Sequence, residues 1–461
     1  MPTSASGSPG RKNAMRIMII DDHEISRAAI CALLRSEGVD VVADLSAGRD
    51  ALAMARALRP DVVIVDVTPA ANTGFGSARR LRALLPAPPI VILTSSSDRT
   101  QFGVQLDSHI FVAKADISSA TIAQLARSPA TDGLESVETV QGPVQVGDLG
   151  PTLMHEHIFA LSTEHVQNYG DGLWWDEEVR VADAVSKLRT LRHKGIKTIV
   201  DPTVWGLGRY IPRIQRIAEQ VDLNIVVAAG LYVYEELPQQ YAYRGPGLLF
   251  DVPEPMVTDF TRDIAEGIGT SGVKAALLKC CVDAAGLTPG IDRIARAVAR
   301  THLGTGAPIT VHTSSLAQSG RLVVDLFRSE GVDLAKVVIA HAGDSNDLEY
   351  LMELADTGAT LGMDRFGLDL FNPTPDRIRT IAALAARGYA DRMMLAHDAN
   401  CFIDYFGAEQ DAARAAIMPN WHYTHISDDV LPALRESGVT EAQIEQMLVD
   451  NPRRYFSRNA S

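Results

Sequence analysis

Residues 276–282 read ALLKCCV, a short apolar run with one lysine set inside it, and the reading of this run decides the second half of the chain. Seven runs of the same kind surround it: TLMHEHI (152–158), KTIVDPTV (197–204), NIVVAAGLY (224–232), PITVHTS (308–314), VVIAHAG (337–343), ATLGMDRFG (359–367) and MMLAHDAN (393–400). Each is short enough for a buried parallel strand. Helical patterns such as DEEVRVADAVSKLRTLRHKG, GIDRIARAVARTH and DLEYLMELADTG fill most of the gaps. Eight strands alternating with helices over roughly 320 residues predict a (β/α)8 TIM barrel, since other sheets leave some strand uncovered. In six of the eight runs a His, Lys, Asp or Arg ends an otherwise apolar segment. That C-terminal rim is where barrel enzymes build their sites.

The rim residues point to metal chemistry. His155 and His157 lie two apart, so on a strand they face the same side and can ligate one ion. Lys279, His312, His341 and Asp398 stand at matching strand ends. A lysine buried in ALLKCC has its charge disfavoured, which frees a neutral amine able to add carbon dioxide. The resulting carbamate is a bidentate anion that can bridge two cations. The plainer alternatives are core histidines with satisfied hydrogen bonds and a lysine that snorkels to the rim. Cys280 and Cys281 read as small core residues.

Composition bounds the remaining possibilities. The 461 residues are 46% hydrophobic and 22% charged, the balance of a soluble globular protein. A formal net charge of -14 disfavours a nucleic-acid partner. No apolar run reaches the ~18 residues of a membrane span. The opening residues, MPTSASGSPGRKNAMR, have no apolar stretch behind a charged end, so 1–14 are expected to form a loose tail rather than a secretory signal. Four cysteines without CxxC spacing suit a reducing compartment, and the cytoplasm is the expected location.

Ahead of the barrel, residues 15–126 carry five shorter runs, RIMII, VDVVA, DVVIVDV, PIVILTS and IFVAK, separated by amphipathic stretches. They predict a five-stranded, doubly wound, flavodoxin-like α/β sheet. Asp21 and Asp22 end the first strand, Asp66 the third, Thr94 the fourth and Lys114 the fifth, so all meet at the sheet edge where open α/β folds bind ligands. Clustered carboxylates of this kind hold Mg2+. The small and polar stretch over 127–138 reads as a linker, with the barrel domain occupying 139–461.

At this point the motifs carry a resemblance. HEH, LLKCC, TVHT, AHAGDS and AHDANC, in that order, resemble the phosphotriesterase family of amidohydrolase-type barrels, and particularly its phosphotriesterase-like lactonases. GLYVYEELP, LGMDRFGLDLF and VDNPRRYF extend the likeness beyond the ligand positions. The resemblance implies a binuclear centre with one ion on His155, His157 and Asp398 and the other on His312 and His341, bridged by carboxylated Lys279. It implies two divalent ions, Zn2+ first, with Fe, Co or Mn as alternatives. It also implies that Arg365 and Tyr232 face a substrate pocket; a structural pairing of Arg365 with Asp364 or another acid is the alternative. The stretch from Phe402 to Tyr423 is long enough for a substrate lid, while Trp174, Trp175 and Trp421 receive no assignment.

The first domain resembles receiver domains of two-component response regulators. By that resemblance Asp66 accepts phosphate from a histidine kinase, Asp21 and Asp22 hold Mg2+, and Thr94 and Lys114 sense the phosphoryl group. The turn DVTPAANTG sets its proline one position earlier than receivers usually do, and Ala follows Lys114 in place of the usual Pro. The expected activity is hydrolysis of lactones such as acyl-homoserine lactones, with Asp398 moving a proton to the leaving alkoxide. One alternative is a phosphotriesterase; another is a non-catalytic regulator that senses lactones. The expected partners are a lactone or phosphotriester, a histidine kinase and a second copy in a homodimer, with neither nucleic acid nor membrane.

Overall fold

The computed structural model describes residues 15–46, 50–67, 81, 90–95, 110–122, 135–170, 174–406 and 411–457. They belong to two compact units, Met1–Glu135 and Ser136–Ser461. No helix among the described residues is long and apolar enough to cross a membrane.

In the first unit β1 (Arg16–Ile20), β2 (Asp40–Leu45), β3 (Val62–Asp66), β4 (Ile90–Ser95) and β5 (Ile110–Ala113) form a parallel sheet in the order β2-β1-β3-β4-β5. This is the flavodoxin-like order expected from the five apolar runs. Alternation along the strands feeds two core layers. Met18, Ile20, Val63 and Val65 pack on one face, and Ile17, Ile19, Val62 and Ile64 pack with Ile30 and Leu34 on the other. The order reverses between β1 and β3, which opens the edge where Asp21 and Asp66 emerge.

The second unit starts earlier than the residue 139 expected from sequence. Ser136–Thr139 is a strand, β6, paired antiparallel with β7 (Gly142–Gln145). Ser136 and Glu138 gave the stretch its polar, linker-like look, but Val137 between them is buried in the barrel's interior cluster. Residues 127–134 of the expected linker lie outside the described residues.

The barrel strands are β8 (Thr152–Leu153), β10 (Thr198–Asp201), β11 (Asn224–Gly230), β12 (Leu277–Val282), β13 (Ile309–Thr313), β14 (Val337–Ala340), β15 (Thr360–Met363) and β16 (Met393–Leu395), neighbours in that order and all parallel. The first and last close on each other. Met154 N donates to Leu395 O at 3.3 Å, and past the rim β9 (His157–Ala160) pairs in parallel with β17 (Asn400–Ile403). Both runs expected as single strands are therefore broken, at 154–156 and at 396–399, and the breaks carry His155 and Asp398.

Alternation on β12 fixes what lines the barrel. Leu278, Cys280 and Val282 join the core between strands and helices, whereas Leu277 joins the interior cluster with Val200, Val226, Val338 and Met394. Lys279 and Cys281 share the side of Leu277 by the period of two. The interior cluster also takes in Val137, Val146, Tyr455 and Phe456, so the opening hairpin and the final helix supply its floor. Past that apolar layer, toward the C-terminal rim, stand Lys279, His312 and His341.

Candidate metal centre

Four histidines, a lysine and an aspartate from five strands meet there, with Lys279 third of six within β12 rather than at the strand end expected from sequence, and all four rings are buried. His155 Nε2 lies 3.6 Å and His157 Nε2 3.2 Å from Asp398 Oδ1. These groups lie close enough for one ion. Beside them His341 Nε2 faces His312 Nδ1 at 2.9 Å. Lys279 Nζ sits 3.3 Å from His155 Nε2.

The rear nitrogens of three of the four rings face a partner of their own. His341 Nδ1 donates to Asp364 Oδ1 at 2.8 Å, and the His341 amide also donates to Asp364. His157 Nδ1 donates to Thr203 Oγ1 at 2.7 Å, and the Thr203 hydroxyl donates onward to Asp201. His312 Nε2 lies 3.4 Å from Asp283 Oδ2. His155 Nδ1 is 3.2 Å from Asp364 Oδ2 but makes no well-formed hydrogen bond, which leaves it a buried unpaired polar atom. A second cluster of His155, His341 and Asp364 is also compact enough for an ion. It uses these rear nitrogens, and Asp364 already accepts from His341, so it reads as an orienting group.

This arrangement fits divalent cations. Burial holds His312 and His341 below the ordinary value, so both rings are neutral with one proton each. The His341 proton is committed to Asp364, and that of His312 points to Asp283. With the ring proton at Nδ1 facing Asp364, His341 Nε2 turns a lone pair toward His312 Nδ1, and a cation between the two nitrogens would be held by both. Anchored rear nitrogens are the usual support of metal-binding histidines. At the other group burial would keep His157 neutral, yet Asp201 and Asp398 raise it to about 9, so this point attracts positive charge. Burial above all lowers His155 to about 4. Burial depresses Lys279 itself, which favours its neutral amine.

Local backbone geometry secures these positions. Gly230, on β11 beside Lys279, adopts φ +143°, and a Cβ there meets Lys279 O at 1.8 Å, so only glycine lets the two strands approach. His341, Arg365 and Asp398 follow three neighbouring strands with φ of 65°, 62° and 53°. Each such residue costs of order 1–3 kcal/mol, and strain of this kind gathers at functional sites.

Two acids hold Arg365. Its Nε lies 3.1 Å from Asp398 Oδ2 and its Nη1 2.9 Å from Asp344 Oδ2, and Arg377 holds the other oxygen of Asp344 at 2.6 Å. Its ion pairs are to these two acids; none to Asp364 is formed. Tyr232 stands edge-on to His312 with ring centroids 5.6 Å apart, and burial pushes its phenol far up, so it remains a proton donor. Trp421 Nε1 donates to Asp398 O at 3.1 Å. Trp174 and Trp175 pack with Phe402 as core aromatics. Residues 407–410 of the expected lid lie outside the described residues.

A family model described as the phosphotriesterase family matches residues 135–456. The chain belongs to the phosphotriesterase family. A response regulator receiver domain model matches residues 17–125, so a receiver precedes the phosphotriesterase-family barrel. A phosphotriesterase homology protein of Mycobacterium tuberculosis is 51% identical over 325 residues, covering 70% of this chain and 98% of the relative. An aryldialkylphosphatase of Saccharolobus solfataricus is 34% identical, covering 68% of this chain and 97% of the relative. A solved phosphotriesterase from Mycobacterium tuberculosis superposes with a TM-score of 0.68 at 51% identity, over 70% of this chain and 98% of that one.

In the receiver, Lys114 Nζ bridges Asp21 Oδ2 at 2.8 Å and Asp66 Oδ1 at 2.9 Å. Burial raises Asp66, and the Asp21 charge adds to that. Burial acts in the same sense on Asp21, but Lys114 and the His23 amide outweigh it and hold Asp21 below its ordinary value. Asp22 is exposed at the same edge. Thr94 is buried with its Oγ1 unpaired. The turn residues 68–74 lie outside the described residues.

Sequence reasoning passed over Asp201, Asp283 and Asp344, and left Asp364 without a role. Asp201 and Asp364 end apolar runs already singled out, so the signal that found the histidines also marked them.

Proposed function

We propose that the barrel is a binuclear metal-dependent hydrolase that opens lactones, acyl-homoserine or related lactones among them, with phosphotriester hydrolysis as a side activity. The observation that carries this reading is the pair of facing nitrogens, His312 Nδ1 and His341 Nε2 at 2.9 Å, beside the His155, His157 and Asp398 group. His155, His157 and Asp398 would hold one ion, and His312 and His341 the other. Lys279, neutral when buried, adds carbon dioxide at Nζ, loses a proton and becomes the anion that serves both. Zn2+, Fe, Co or Mn in such a pair supplies Lewis acidity and an activated water.

The remaining roles belong to side chains. Arg365 Nε holds Asp398 Oδ2, which fixes the carboxylate that takes a proton from the attacking water and delivers it to the ring oxygen of the lactone. Tyr232, kept protonated by burial, offers its hydroxyl to the ester oxygens. The lactone preference is supported by the likeness of GLYVYEELP and LGMDRFGLDLF to the lactonases, the segments that bear Tyr232 and Arg365. A second reading, phosphotriester hydrolysis as the main activity, is favoured by the aryldialkylphosphatase relative. The first unit is a phospho-acceptor at Asp66, with Mg2+ on Asp21 and Asp22 and Thr94 and Lys114 as sensors, and its phosphorylation by a histidine kinase modulates the barrel.

Side-by-side rates on lactones and dialkyl aryl phosphotriesters, with and without acetyl phosphate, test this. A lactone kcat/KM at least about tenfold above that for triesters is expected, which is about 1.4 kcal/mol of preference in the transition state. Faster triester turnover hands the site to the second reading. Equal rates with confirmed phosphate incorporation remove the regulatory part.

A further inference from the structure

The first and last strands of the barrel meet through the middle residue of the His-Glu-His stretch. Glu156 and His397 are both fully buried, each next in sequence to residues of the candidate centre. Glu156 Oε1 accepts from the His397 amide at 2.8 Å and from His397 Nδ1 at 2.7 Å, and Oε2 accepts from the Ala399 amide at 3.1 Å. Between those amides, Asp398 N donates to His155 O at 3.0 Å. Three successive amides, 397 to 399, therefore converge on residues 155 and 156. The far side is fixed as well, because His397 Nε2 accepts from the Ile426 amide at 2.9 Å.

These bonds surround a residue in a disfavoured state. Asp398 has φ 53°, a left-handed conformation that a side chain with Cβ keeps only where its neighbours over-determine it. A run of adjacent amides is a natural anion cradle, and here the anion is supplied by the chain itself. Plain apolar packing would close the seam without burying a carboxylate, so the acid has a purpose beyond closure.

We propose that Glu156, working with His397, is a positioning residue for Asp398: it gathers the amides of residues 397 and 399 on either side and so holds the left-handed turn that aims Asp398 Oδ1 at His155 and His157. The proposal rests on the metal-pair reading of the barrel. One carboxylate, flanked in sequence by two candidate ligands, thereby sets the third relative to them.

Glu156→Gln keeps the size but turns one acceptor into a donor. Both oxygens accept from N–H groups, so either orientation of the amide sets two donors against each other. In the full-length protein loaded with Zn2+, 1,10-phenanthroline is expected to strip metal at least about tenfold faster than from wild type. The visible spectrum of the Co2+-loaded protein changes, and kcat falls about 10–100-fold while KM stays within about threefold. His397→Asn keeps a donor toward Glu156 but loses the acceptor for Ile426, and stripping accelerates by a smaller factor. A folded Glu156→Gln protein with unchanged stripping rate and Co2+ spectrum overturns the proposal. Should Glu156→Gln fail to fold, an unchanged rate in folded His397→Asn overturns it. Elemental analysis of wild type is read separately: absence of bound ions in active protein removes the metal-pair reading and this proposal with it.

Discussion

Lys279 and Lys114 both belong to parallel strands that gather carboxylates toward their C-terminal ends, Lys279 within β12 and Lys114 directly after β5. Their chemistry is opposite. Lys114 lies between Asp21 and Asp66, and although burial works against its charge, those two acids raise its pKa and keep it an ammonium. Lys279 is 1% exposed with a histidine nitrogen as its nearest polar neighbour, and burial lowers it toward a free amine. What faces a lysine thus sets the direction in which its pKa moves, and topology alone does not say which.

The largest effect is expected from removing the lysine that burial has made reactive. Lys279→Ala should lose bound metal and turnover together, by about 10²-fold or more, since the proposed carbamate that would serve both ions disappears. Added acetate or propionate should restore part of both by occupying the space left by the side chain. A fully active, metal-loaded alanine variant would end the carboxylation idea and make Lys279 resemble Lys114.

The contrast also explains what could be seen in the sequence. Strand ends were legible in both units because a polar residue closing an apolar run has few other reasons to be there, and this located Lys279, His312, His341, Asp66 and Lys114. What faces those residues was less legible, because it depends on loops and on register across the barrel. Asp283 and Asp344 lie just beyond strand ends, and Trp421 reaches Asp398 from 23 residues further on. The HEH stretch read as one regular strand, yet β8 stops at Leu153 and the bend that follows brings His155 and His157 to Asp398. A break of this kind leaves no periodicity to read.

A middle-sized effect should separate holding a metal from holding a proton carrier. Arg365 contacts Asp398 through Oδ2, whereas His155 and His157 face Oδ1. Arg365→Met should therefore leave two ions per chain in place and lower kcat/KM on lactones about 10–30-fold, or about 1.4–2 kcal/mol. Arg377 still satisfies Asp344 in that variant, which limits structural damage. Arg365→Lys should fall between, because it keeps the charge but not the planar fork. Loss of metal in Arg365→Met would place the arginine with Lys279 as part of the centre's framework.

The smallest effect concerns the other lysine, and its sign follows from linkage. Lys114 is raised above its ordinary 10.5, so its stabilising contribution is complete below that value and is lost as pH rises through the folded value. Asp21, held below 3.8, contributes above that value and loses its contribution as pH falls through its lower folded value. Asp66, raised above 3.8, works the other way, and its ionisation costs stability as pH rises. Lys114→Met leaves Asp21 and Asp66 facing each other without their cation. At pH 7 the receiver should lose about 1–2 kcal/mol, between the worth of an exposed pair and that of a buried one. The deficit should shrink as pH falls through the carboxylate range, because a protonated Asp66 no longer repels Asp21. Mg2+ at ten times its dissociation constant should return about 1.4 kcal/mol, since Asp21 and Asp22 remain to bind it. Calorimetry of the full chain, following the receiver transition with and without Mg2+ at two pH values, reads all of these. A receiver transition unmoved by Lys114→Met would show that this lysine, unlike Lys279, is dispensable to the site it bridges.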